Sequence, residues 1–139
     1  MLIVSFFISS VALAQQGPGT IYVSVSGFRS DNGWALAGLF RSSKGFPSDF
    51  IYTFRTATAE INDGQASMVF PNVPLGEYAI SIVHDTDMDV NFDRNWAFLP
   101  AEGYGTSNDT RGVFGPGDYS GSKFITNASE ASIYIPIHY

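Results

Sequence analysis

Nine consecutive residues carry the densest chemistry in this chain: Asp85-Thr86-Asp87-Met88-Asp89-Val90-Asn91-Phe92-Asp93. A carboxylate or carboxamide occupies every second position, and no Lys or Arg lies among them. Like charges this close repel, so holding such a loop compact is costly unless a cation neutralises it. Ca²⁺ takes about six to eight oxygen ligands, and calcium loops draw side-chain oxygens from the first, third, fifth and ninth positions and a backbone carbonyl from the seventh. Asp85, Asp87, Asp89 and Asp93 fit the side-chain positions, and Asn91 fits the carbonyl position. The run is therefore a candidate Ca²⁺ loop, with His84 and Glu102 as candidate additional ligands. It is not an EF-hand. Val90 stands where the sharp turn wants Gly, and Trp96 stands where the bidentate Glu belongs. The competing reading is a solvated turn whose Asp side chains cap local backbone N–H groups.

Other reactive residue types are sparse. His84 precedes Asp85, a pairing that can orient an imidazole for zinc or for proton transfer. The only other His is His138 and there is no Cys, so a hydrogen-bonded, half-buried strand-end histidine is the plainer expectation. Ser81 and Ser107 lie near His84 in sequence, but neither sits in a nucleophile-elbow pattern. Glu102 with an Asp of the acidic run could form a glycosidase-type carboxylate pair, which requires a cleft between them. Trp96, Phe98, Tyr104, Phe114 and Tyr119 form either the private core of a long loop or an exposed stacking surface. Asn108-Asp109-Thr110 and Asn127-Ala128-Ser129 match the glycosylation sequon, which matters only in a eukaryotic secretory route.

These residues need a frame, and period-two alternation supplies it. Ile21, Val23 and Val25 alternate with polar neighbours up to Gly27, and Trp34 to Phe40 reads as a second strand. Phe50 to Ala59 is a third, mixed segment, and Ala66 to Phe70 a fourth. Tyr78, Ile80 and Ile82 mark a core strand leading into His84 and Asp85. Ile133 to Tyr139 closes the pattern, with Pro136 predicting an edge position or a bulge. Asp31-Asn32-Gly33 and Asn62-Asp63-Gly64 are turn signals, and Pro71 to Gly76 reads as a tight connection. No segment of useful length has a helical apolar period. The expectation is an all-β protein: a single antiparallel β-sandwich of about seven strands, Ig-like or transthyretin-like. One long loop, from Asp85 to about Ser122, holds the acidic run.

The chain begins with a short apolar run ending in Ala12-Leu13-Ala14, a small-x-small cleavage pattern. The expectation is a signal peptide over residues 1–14 and a single domain over 15–139, in a periplasmic or secreted protein. The run is too short to span a bilayer, which takes about 20 apolar residues. It has no Lys or Arg, and the alternatives are a buried first strand or an uncleaved anchor. Net charge is −6, which argues against nucleic acid and anionic membranes as partners. The absence of cysteine removes disulfides, thiolate metal sites and Cys nucleophiles together.

The segment Asn72-Val73-Pro74-Leu75-Gly76-Glu77-Tyr78-Ala79-Ile80-Ser81-Ile82-Val83-His84-Asp85 resembles the N-L-P-P-G-x-Y-A-v-x-v-x-H-D segment of the DUF2141 family of bacterial secreted proteins of unknown function. The acidic run follows there too, and then a G-x-P-x-E-G-Y-G-x-S stretch, matched here by Leu99 to Asn108. Gly38-Leu39-Phe40 and Gly45-Phe46-Pro47 are similar to its earlier motifs, while Val90 departs from the family's usual Gly. The Asn-x-Pro-x-Gly-x-Tyr stretch is also similar to transthyretin-like and carboxypeptidase-regulatory-type β-sandwich modules. The resemblance implies a β-sandwich in the bacterial envelope and no particular reaction. Two functions remain open. One is a non-catalytic, Ca²⁺-stabilised module binding an unknown protein or glycan of the envelope. The other is an enzyme or accessory domain acting on envelope glycans or peptides through Glu102 and an acidic-run Asp.

Overall fold

A computed structural model describes residues 3–6, 17–86, 102–112 and 115–139. Eight strands lie among them: β1 Gly19–Ser26, β2 Trp34–Phe40, β3 Arg55–Glu60, β4 Gln65–Val73, β5 Gly76–Asp85, β6 Tyr104–Thr106, β7 Phe124–Thr126 and β8 Glu130–Pro136. One short helix, α1, spans Tyr119–Ser122. The strands form two sheets. The first has the order β4-β1-β8, and the second runs β3-β2-β5-β6, with β7 also pairing with β5. The protein is thus all-β, but the expectation of about seven antiparallel strands needs two corrections. There are eight strands among the described residues, and β8 runs parallel to β1. β6 and β7, three residues each and too short to show a period, are the two strands absent from the six segments marked by alternation. The parallel pair arises because the chain leaves the second sheet at β7 and enters the first alongside β1, pairing Thr20 with Glu130.

Alternation places the core. Ile21, Val23 and Val25 of β1, Ala66, Met68 and Phe70 of β4, and Ile135 of β8 face inward from the first sheet. They meet Ala35, Ala37 and Leu39 of β2 and Tyr78, Ile80 and Ile82 of β5. Burying an aliphatic side chain of this size contributes about 1.5–3 kcal/mol, so this shared core dominates stability.

The other face of the second sheet is covered as well. Ala79, Ser81, Val83 and Asp85 of β5 are all buried, along with Leu36 and Phe40 of β2. Phe46, Phe50 and Tyr119 lie over them, with edge-to-face ring pairs Phe40–Phe46 at 5.1 Å, Phe40–Phe50 at 5.9 Å and Phe46–Tyr119 at 5.8 Å. The cover sits so close that a Cβ at Gly38 would lie 2.9 Å from Thr53 Cγ2. β5 is therefore buried on both faces and lies between two strands, β2 and β6. The outer face of the first sheet has no comparable cover among the described residues.

One end joins the sheets. The backbone of Tyr104 exchanges two hydrogen bonds with His138, at 2.9 and 2.8 Å, and Ile137 N–H donates to the Ser26 carbonyl at 2.8 Å. The segment following β8 thus reaches across to β6. Among the described residues no helix is long and apolar enough to cross a membrane. Of the expected leader, residues 3–6 are described; they form no strand, and Ile3, Val4 and Phe6 are exposed.

Candidate functional site

β5 delivers the sequence motif to one end of the second sheet. His84 and Asp85 are its last two residues, and both are buried, at 1% and 3% exposure. Thr86 follows and is exposed. Asp87, Asp89, Asn91 and Asp93 of the candidate Ca²⁺ loop lie outside the described residues, as do Trp96, Phe98 and Phe114. Glu102 is half-buried, and both Asp85 and Glu102 are engaged by partners. Among the described residues no group of three or more His, Asp or Glu side chains converges in a way that could hold a metal.

His84 departs from the half-buried expectation. Its ring is enclosed, with Phe28 edge-on at 5.1 Å. Nε2 lies 2.7 Å from the Asn32 carbonyl and Nδ1 lies 2.6 Å from Tyr139 Oη. A carbonyl only accepts, so Nε2 carries a proton and donates. In the neutral ring Nδ1 then accepts from the Tyr139 hydroxyl. That hydroxyl in turn accepts the Arg29 backbone N–H at 3.0 Å, while the Arg29 guanidinium lies 4.3 Å from the Tyr139 ring centre. Both ring nitrogens are spent on structure: Nε2 fastens the loop before β2, and Nδ1 fastens Tyr139, to the end of β5. Gly33 tightens the same joint. Its φ is +77°, and a Cβ there would lie 1.9 Å from the Asp85 carbonyl oxygen.

Beside this joint lies a shallow cleft of about 470 Å³, lined by Asp31, Asn32, Gly33, Trp34, Glu60, Ile61 and Thr86. Asp31 is already occupied: its two carboxylate oxygens accept the Asp63 and Gly64 backbone N–H groups at 2.9 and 2.8 Å. That clamp ties the two sequence turn signals to each other. Glu102 does not line this cleft, so the cleft does not assemble the carboxylate pair that the enzymatic reading requires.

A second polar cluster follows β6. Ser107 Oγ accepts the Ile80 N–H at 2.9 Å and donates to the Ser122 carbonyl at 2.5 Å, wholly buried. Its hydroxyl is a brace rather than a nucleophile. Asn108 and Asp109 both adopt left-handed backbone, with φ of 62° and 48°. Asn108 Nδ2 donates to the carbonyls of Gly121 and Lys123 at 3.2 and 2.9 Å, which seats α1. Asp109 meets His138 Nε2 at 2.6 Å and Arg111 Nη2 at 3.3 Å. Partial burial pushes its carboxyl upward, but the hydrogen bonds and charges of His138 and Arg111 outweigh that and lower its pKa. Tyr119, expected in either a loop core or an exposed surface, is buried and donates to Glu77 Oε2 at 3.0 Å. Tyr104 is half-buried against the apolar cluster on the outer side of the second sheet, opposite Val83.

Sequence reasoning missed Tyr139, Asn32 and the Asp109–His138 pair as structural partners. Only the turn signal at Asp31-Asn32-Gly33 hinted that this loop was held in a fixed shape.

A family model described as an uncharacterized protein conserved in bacteria (DUF2141) matches residues 23–134, and the chain belongs to that family. No curated protein and no solved structure matches it.

Proposed function

Taking membership of a bacterial family without an assigned activity as the premise, we propose that this protein is a periplasmic or secreted, non-catalytic binding module. Its two sheets form a β-sandwich of Ig-like or transthyretin-like type. Its acidic segment takes Ca²⁺, and its partner is a protein or glycan of the cell envelope. The observation that carries the metal reading is the anchoring of Asp85. The first ligand of the alternating run stands on a buried, doubly fastened strand end, so ordering of the loop starts from a fixed point. A rigid base lowers the entropy that a cation must offset when it draws repelling carboxylates together. Asp85, Asp87, Asp89 and Asp93 supply side-chain oxygens and Asn91 its carbonyl, with His84 excluded as a ligand while both its nitrogens are engaged.

Binding to the native state alone stabilises it by RT ln(1 + [L]/Kd), about 2.7 kcal/mol at a hundredfold excess over Kd. The protein is expected to melt several degrees higher in millimolar calcium than in chelator, and Asp87→Ala should remove most of that difference. Identical melting temperatures in calcium and chelator would reject the metal.

A further inference from the structure

Over β2 and β5 the second sheet is covered on both faces, whereas nothing among the described residues lies over the outer face of β4-β1-β8. Its outward positions on β1 are Thr20, Tyr22, Ser24 and Ser26, because the alternate residues fill the core. Tyr22 lies directly across from Val69 of β4 and beside Ser132 of β8. Ser24 lies between Ser67 and Tyr134 in the same way. Tyr22, Val69 and Tyr134 are 42%, 48% and 62% exposed. The Tyr134 hydroxyl bonds to Ser26 Oγ, two residues further along β1 than its own pairing partner.

Charge is what distinguishes this face. The chain carries −6, yet no Lys, Arg or Asp occupies an outward position on these three strands. Glu130, the single carboxylate, stands at the starting end of β8. A polyanion would be repelled by the rest of the body, and a polycation would find only Glu130, at one end of the face, to pair with. Rings alternating with hydroxyls on this paired sheet face match a ligand with apolar C–H faces and uncharged hydroxyl edges. We propose that the outer face of β4-β1-β8 is a binding platform for a neutral polysaccharide, with Tyr22 and Tyr134 stacking on sugar rings and the flanking serines bonding sugar hydroxyls. This rests on the reading of the chain as a binding module and names its partner class, but it does not depend on the metal.

The test is affinity electrophoresis of the full chain through gels containing hydroxyethyl cellulose, xylan or dextran, with alginate as the charged control. At least one neutral polymer should retard the protein, and alginate should not. Tyr134→Ala and Tyr22→Ala should each weaken retention about tenfold, the worth of one stacked ring. Tyr134→Phe keeps the ring and should retain most of the binding, and Ser24→Glu should abolish it by charging the centre of the face. Both tyrosines are exposed, so the variants should fold, which circular dichroism verifies. No retardation in any neutral gel overturns the proposal, as does equal retention of the alanine variants. A dimer in sedimentation that Tyr134→Ala dissociates would reassign the face to self-association and also overturn it. Repeating the gels in chelator separates the two readings. Retention that disappears in chelator but ignores the tyrosines places the ligand at the acidic end and sinks the platform alone. Tyrosine-dependent retention without calcium-dependent melting sinks the metal alone.

Discussion

Replacing Tyr139 by Phe deletes a single oxygen atom, and the structure fixes what that costs. The Tyr139 hydroxyl donates to His84 Nδ1 at 2.6 Å and accepts the Arg29 N–H at 3.0 Å. His84 is 1% exposed, so water does not easily replace the lost donor. Nδ1 cannot turn to another partner, because Nε2 is committed to the Asn32 carbonyl at 2.7 Å. A buried acceptor left without a donor costs about 1–3 kcal/mol, whereas a neutral hydrogen bond lost at the surface costs about half as much or less. The ring remains and keeps its packing against Arg29 and Gly103. Urea unfolding of Tyr139→Phe should therefore show a lower midpoint with an unchanged slope, since the buried area is the same. In the His84→Phe background the same substitution should cost far less. The resulting coupling should be about 1 kcal/mol or more, as expected of directly bonded neighbours. A loss below about 0.5 kcal/mol in the single variant, or additivity in the double, would refute the hydroxyl–imidazole bond.

Two other perturbations test different parts of the fold. Gly33→Ala forces a side chain into left-handed backbone, a strain of about 1–2 kcal/mol, and sets its Cβ 1.9 Å from a main-chain oxygen that cannot swing away. The loss measured in urea should exceed about 2 kcal/mol, and a value under 1 would contradict the close approach of β2 to Asp85. Burial, followed by the Glu77 carboxylate, pushes the Tyr119 phenol up to about 12. A raised folded pKa gives stability that is complete below pH about 10 and is lost as pH climbs through about 12, on the order of 2 kcal/mol in all. The phenolate absorbance difference between wild type and Tyr119→Phe should show that late titration, and a Tyr119 that ionises with the exposed tyrosines would disprove its burial against Glu77.

The strands that alternate cleanly were legible in sequence. Trp34 to Phe40 is β2 to the residue, and Tyr78, Ile80 and Ile82 do fill the core. β4 runs on through Pro71, which sequence read as the start of a turn. Proline is tolerated there because β4 edges its sheet. The segment Phe50 to Ala59 split into a single turn of helix and β3, since a run of aromatics can satisfy either a strand face or a lid. What escaped was the long-range pairing. Nothing in three residues such as Tyr104–Thr106 signals a strand, and nothing near His84 signals that Tyr139 will be its partner. Ser107 illustrates the same limit at the site: the residue type suggests a nucleophile, and only its partners Ile80 and Ser122 reveal a buttress.

The parallel pairing of β1 with β8 also governs how the molecule can come into being. Thr20 meets Glu130, so nearly the whole chain separates the two strands that complete the first sheet. Closing so long a loop is an entropic debt that the β2-β3 and β3-β4 turns do not incur, because those neighbours are local in sequence. Topologies dominated by such distant contacts fold over milliseconds to seconds. A ribosome adding about 5–20 residues per second has several seconds of work left after β1 emerges before β8 exists. Throughout that interval β1 lacks one of its two neighbours. The first sheet is therefore completed only after β8 has arrived.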